Sequence, residues 1–144
     1  MSRLVDAPRE LIYKAWTTPE LLMKWFVPKP WSLARAEIDP RPGGVFLSVM
    51  QDPDGKEYPN EGVFLECGPD KIVFTDAFTR GWMPNPDPFM VAIVTFEEED
   101  GKTLYTARVR HWTVEAKEKH EQMGFHDGWG AALTQLEELL PTLA

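Results

Sequence analysis

Apolar and polar positions follow two different periods along this chain. Between Trp31 and Trp112 the period is close to two, and at the C-terminal end it becomes helical. There Phe125, Trp129, Leu133, Leu136 and Leu140 fall within about 80° of one another on a helical projection, with Gln122 and Ala132 in the same sector. Two shorter helical patterns precede residue 28. Leu11, Ile12, Ala15 and Trp16 make one apolar face, with Pro8 and Glu10 suited to its first turn. Leu21, Leu22 and Trp25 make the other, opened by Thr18 as cap and Pro19 as first helical residue. Leu4-Val5 reads as the end of a strand ahead of both.

Turn residues divide the alternating region into six strands, over 32–39, 45–51, 62–67, 71–78, 89–97 and 103–112. Pro40-Arg41-Pro42-Gly43-Gly44, Asp52-Pro53-Asp54-Gly55, Gly68-Pro69-Asp70 and Glu99-Asp100-Gly101 supply the reversals. Consecutive hairpins make an antiparallel meander. Residues 79–88, with Gly81, Pro84, Pro86 and Pro88 around Trp82 and Met83, form the longest irregular stretch and suit a lid or rim. The last helix starts at Thr113. Its early residues Glu118 and Glu121 project into the sector later held by Phe125 and Trp129, so it must overhang the sheet or bend near Gly124. Gly124, Gly128 and Gly130 each cost a helix about 1 kcal/mol against alanine, which predicts close approach of another backbone.

The element order predicts an α+β fold. A curved antiparallel sheet of about seven strands wraps a long C-terminal helix, with two short helices after the first strand. At 144 residues the chain is one domain, 1–144. A net charge of −8 without a basic run argues against nucleic acid as partner. One cysteine, Cys67, allows no internal disulfide, and no run is long and apolar enough for a signal peptide or membrane span. A cytoplasmic location is the resulting expectation.

Several words of the sequence resemble one family. They are Ala7-Pro8-Arg9-Glu10-Leu11, Ala15-Trp16-Thr17-Thr18-Pro19-Glu20-Leu21 and Trp25-Phe26-Val27-Pro28, followed by Asp39-Pro40-Arg41-Pro42-Gly43-Gly44. Gly55-Lys56-Glu57-Tyr58-Pro59, Phe74-Thr75-Asp76 and Met123-Gly124-Phe125-His126-Asp127-Gly128-Trp129 continue the match. The chain resembles the activator of heat-shock-protein-ninety ATPase homologue-like family, within the START-like (SRPBCC, helix-grip) superfamily. The resemblance implies a sheet gripping a C-terminal helix around a cavity. Relatives in the superfamily bind lipids, sterols, polyketides and plant hormones, and some are cyclases or dehydratases. A chaperone partner is implied only weakly, because the co-chaperone that names the family carries an additional N-terminal domain for which this chain has no room.

Candidate chemistry is sparse. His111, His120 and His126 are the only histidines, and neither adjacent pair, His120-Glu121 or His126-Asp127, can chelate from one helical face, so no metal is expected. The serines make no nucleophile turn, Cys67 lacks a cation beside it, and Gly43-Gly44 lies between strands, so no cofactor is expected either. In the last strand Tyr105, Ala107, Val109 and His111 are the more apolar alternating set and should face the helix. Periodicity does not choose between Phe46, Ser48, Met50 and Val45, Leu47, Val49. The resemblance favours the first set inward, and Phe64 against Leu65 stays open. The expected cavity walls are Phe46, Phe64, Trp82, Met90, Phe125, Trp129 and Leu133, with His111, Gln122 or His126 as polar anchors. A small lipophilic or aromatic ligand fits that inventory. An enzyme of the cyclase or dehydratase type would use His111 or His126 as acid–base group. A protein-interaction domain would instead show an exposed apolar patch. Close packing of the aromatics would leave no pocket. A short first strand would leave an edge that favours a homodimer.

Overall fold

The computed structural model describes residues 1–122 and 125–143, without the side chains of Phe125 and His126. The chain runs β1 (Ser2–Val5), α1 (Arg9–Thr17), α2 (Pro19–Leu22), β2 (Ser32–Ile38), β3 (Val45–Gln51), β4 (Glu57–Gly68) and β5 (Lys71–Thr75). It continues with β6 (Phe78–Thr79), β7 (Met83–Pro84), β8 (Met90–Glu99), β9 (Lys102–His111), α3 (Val114–Gln122) and α4 (Phe125–Leu139), then a 3₁₀ turn at Leu140–Thr142. Seven strands pair antiparallel in the order β1-β9-β8-β5-β4-β3-β2, and β6 with β7 forms a separate small arm. The α+β fold expected from the alternation is present. Among the described residues no helix is long and apolar enough to cross a membrane.

Irregular pairing between Leu33 and Arg35 in β2, and between Phe64 and Glu66 in β4, bends the sheet. The inner row is continuous across it. Phe46 sits opposite Gly62, Phe64 opposite Phe74, Phe74 opposite Ala92, and Ala92 opposite Val109. Trp16 from α1 and Trp25 beyond α2 pack edge to face at 5.2 Å, and Trp16 also reaches Phe46 and Phe74. Ala132, Leu133, Leu136 and Leu140 close this core from the C-terminal side. The Gln135 side chain adds a polar clamp. Its amide donates to the Trp25 and Val27 carbonyls at 2.9 and 2.8 Å and accepts from the Lys29 amide at 3.0 Å, tying the α2–β2 loop to α4.

Three expectations are corrected. The projection that placed Gln122 in the apolar stripe does not hold for its side chain, and the overhang or bend expected near Gly124 lies outside the described residues. Gln122 is exposed at the end of α3. No backbone lies against Gly128 or Gly130. An added Cβ would meet nothing within 4 Å at the first, and only the Arg3 guanidinium, at 3.6 Å, at the second. The strand predicted over 62–67 begins five residues earlier at Glu57, because Glu57–Glu61 continue the pairing with β3 despite their exposure.

β3 shows why its two faces could not be told apart. Phe46 and Ser48 are buried on the inner side, and Val45, Leu47 and Val49 form a second buried cluster on the outer side. Leu47 lies in register between Glu37 and Glu61, and the Arg80 guanidinium spans both carboxylates. The arm β6–β7 is thereby strapped across the convex face.

Candidate functional site

Burial along the inner face is graded from one end of the sheet to the other. On β9, Thr103, Tyr105 and Ala107 are fully buried, whereas Val109 and His111 on the same face are only half-buried. On β8, Phe96, Val94 and Ala92 are fully buried, and Met90, two residues further along, is half-buried. Met90 and His111 are register partners. The concave side is therefore closed at Phe96–Tyr105 and partly open to water at Met90–His111. Trp129 on α4 is likewise half-buried against the core.

The residues at the open end include the histidine pair. His111 Nε2 and His120 Nδ1 are 2.9 Å apart, and the Phe89 ring packs on both imidazoles at 5.5 and 5.1 Å. Asp76 fixes Phe89 by accepting the backbone amides of Phe89 and Met90 at 2.9 to 3.0 Å. Burial pushes both histidines below the usual imidazole range. Lys117 lowers His111 further against a contrary pull from Glu121, and the His111 charge lowers His120. His111 Nδ1 is shielded from water and has no hydrogen-bond partner. Between two neutral rings, one N–H donates to the other's lone pair.

Of the residues expected to line a cavity, Phe46, Phe64 and Leu133 lie together in the core, with Met90 and Trp129 packed against it and His111 at its open end. Phe46 and Phe64 are stacked at 5.1 Å. Trp82 is not among them. It stands at positive φ (59°), half exposed, over Gly43 and Phe78, on the arm that Arg80 fastens to the convex face. The side chains of Phe125 and His126 lie outside the described residues. His120 is absent from the expected set because helical spacing relates it only to neighbours on its own helix, and its partner is on a strand. The inward parity of His111 was the available signal. Among the described residues, no group of three or more histidine, cysteine or acidic side chains converges as metal ligands. Cys67 Sγ lies 3.6 Å from the Tyr13 hydroxyl, and burial pushes that thiol up and the Tyr13 hydroxyl to about 12, which makes both packing groups.

The profile of the family described as "Activator of Hsp90 ATPase homolog 1-like protein" matches residues 6–141. The chain belongs to this family. Its fold is shared with a crystallographically determined protein of Nitrosomonas europaea, at 43% identity and a TM-score of 0.95 over 99% of this chain and 92% of the other. A Mycobacterium smegmatis crystal structure is similar at 29% identity, TM-score 0.80, over 96% of this chain and 87% of that one. A solution structure from Staphylococcus epidermidis is similar at 26% identity, TM-score 0.82, covering 100% and 89% respectively. Among curated proteins, none matches. Membership of the family brings a START-like fold of a kind that commonly binds ligands or partners.

Proposed function

We propose that this chain binds a small lipophilic or aromatic molecule between the concave face of the sheet and α4. The observation that carries this reading is the burial gradient. Met90 and Val109 point inward on an apolar face, yet remain half-buried at one end of it. An apolar surface left wet inside a concave fold gains free energy when a guest covers it, by about 25 cal/mol per Å². Phe46, Phe64 and Leu133 form the packed core behind this surface, Trp129 is half-buried against it, and His111 supplies a polar group at the rim. Phe89 and His120 join the rim set. The composition of this open end, mostly apolar with few polar groups, suits recognition more than catalysis.

Native mass spectrometry of the purified protein tests this, together with titration of a fluorescent aromatic probe such as 1-aminoanthracene. The expected result is a bound small molecule, or saturable one-to-one binding of the probe. Absence of both would overturn the reading.

A further inference from the structure

The helix α3 is poorly suited to hold itself in place. It contains no buried residue, and only Ala116 and His120 are half-buried. Thr113 caps it, its hydroxyl accepting the Ala116 amide at 3.0 Å. Its contact with the sheet runs through His120, which meets His111 at the end of β9 and the Phe89 ring. That contact lies at the open end of the concave face, beside Met90. We propose that the His111–His120 contact is a proton-released latch, which holds α3 over the open end of the concave face and frees it on acidification.

Proton counting gives the mechanism. With both rings neutral, one N–H donates across the 2.9 Å gap to the other ring's lone pair. One added proton leaves a lone pair in the gap, so the bond survives. A second puts hydrogens on both facing nitrogens and two positive charges side by side, and the contact becomes repulsive. Among the described residues, the charged groups near the pair pull in opposite directions. Lys117 on α3 opposes protonation of His111 and Glu121 favours it. Arg110 precedes His111 on β9, and the Asp76 carboxylate is already engaged by the Phe89 and Met90 amides. The first turn of α4 contributes Asp127, which is exposed. The Phe89 ring, which packs on both imidazoles, carries no charge of its own.

The open state lets both histidines titrate near their ordinary value, so it binds more protons than the closed one. Uptake of one further proton raises the opening constant about tenfold per pH unit below about 6.5. The latch is closed above that value and lost as the pH falls. It stands whether or not the concave face takes a ligand, because its readout is α3 alone.

Hydrogen–deuterium exchange at about pH 7.5 and about pH 5, corrected for the chemical exchange rate, tests it. The wild-type amides of 118–122 should exchange at least about tenfold faster in the acidic sample, while those of β8 and β9 stay protected. His120→Gln, which cannot gain charge, should show no such pH dependence. Unchanged α3 exchange in the wild type overturns the proposal, as does loss of protection spread equally over β8 and β9, or persistence of the effect in His120→Gln. If that variant does not fold, ¹⁵N NMR titration of the wild-type imidazoles decides. Two coupled steps are expected, and independent titration of both rings at the ordinary value overturns the latch.

Discussion

Arg3 Nη1 donates to Glu137 Oε1 at 2.6 Å, so the edge strand β1 and the helix α4 are joined by a charge-assisted bond. Arg3 pairs in register with Tyr105, which places its side chain on the inner face, and it also reaches the Thr134 hydroxyl at 3.0 Å. Both partners are about one-third exposed, at 35% and 34%, so water screens the pair. Glu137→Gln should cost about 0.5–1 kcal/mol of unfolding free energy. Urea denaturation in a double-mutant cycle with Arg3→Gln checks this, and a coupling energy near zero would show that the pair adds nothing to the seating of α4.

Deeper in the core, the Trp16 indole N–H donates to the Tyr105 hydroxyl at 3.2 Å, with both rings fully buried. Burial holds that phenol protonated far beyond neutral pH. Tyr105→Phe keeps the ring but strands the indole donor without a partner, which costs about 1–3 kcal/mol. Thermal or urea unfolding should register the loss. A neutral result would mean that water reaches the indole.

The inward set on β9 was readable because its opposite face carries Arg108 and Arg110, so the alternation had only one stable phase. β3 gave no such answer, since the Arg80 strap buries its outer face as well. That strap depends on a contact with Glu37 and Glu61, which are 43 and 19 residues from Arg80 in the sequence. Trp82 was placed in a cavity by its aromatic character, whereas its position follows from the strap and a positive φ. The C-terminal pattern required the first turns to overhang the sheet or the helix to bend near Gly124, and it left His120 without an assigned neighbour. His120 on α3 meets His111 at a strand end, a contact that no helical projection contains.

The strap itself should be acid-sensitive. The Arg80 amide donates to Glu61 Oε2 at 3.0 Å, and this bond, ahead of the Arg80 side chain, holds the Glu61 carboxyl below its ordinary 4.5. A depressed carboxylate stabilises the arm above the unfolded value and loses that contribution as the pH falls through the folded one. The Arg80 amide resonance should therefore titrate below about pH 4.5 in NMR. Glu61→Gln should abolish that titration while β8 and β9 resonances stay in place. A flat Arg80 profile in the wild type would contradict the assignment.

Glycine substitutions separate backbone fit from helix propensity. At Gly62 an added Cβ collides with the Thr75 carbonyl oxygen, and at Gly44 with that of Asp39. Neither can be relieved by moving a side chain, so Gly62→Ala should destabilise by more than about 1 kcal/mol. Gly128 lies in α4 with open space at the Cβ position, and Gly128→Ala should stabilise by about 0.5–1 kcal/mol. Paired denaturation curves of the two variants check the opposite signs.

Blocking the open end gives the sharpest test of ligand binding. Val109 points inward there and is half-buried, so its enlargement to tryptophan occupies the wet apolar surface while displacing little of the packed core. Val109→Trp should weaken binding of the aromatic probe by at least about tenfold, since roughly 1.4 kcal/mol of covered apolar area accounts for each decade. Arg108→Trp adds the same indole on the opposite, exposed face and should leave the probe's affinity unchanged. Equal effects from the two would locate the probe on the outer surface, and the concave face would then have no claim as the binding site.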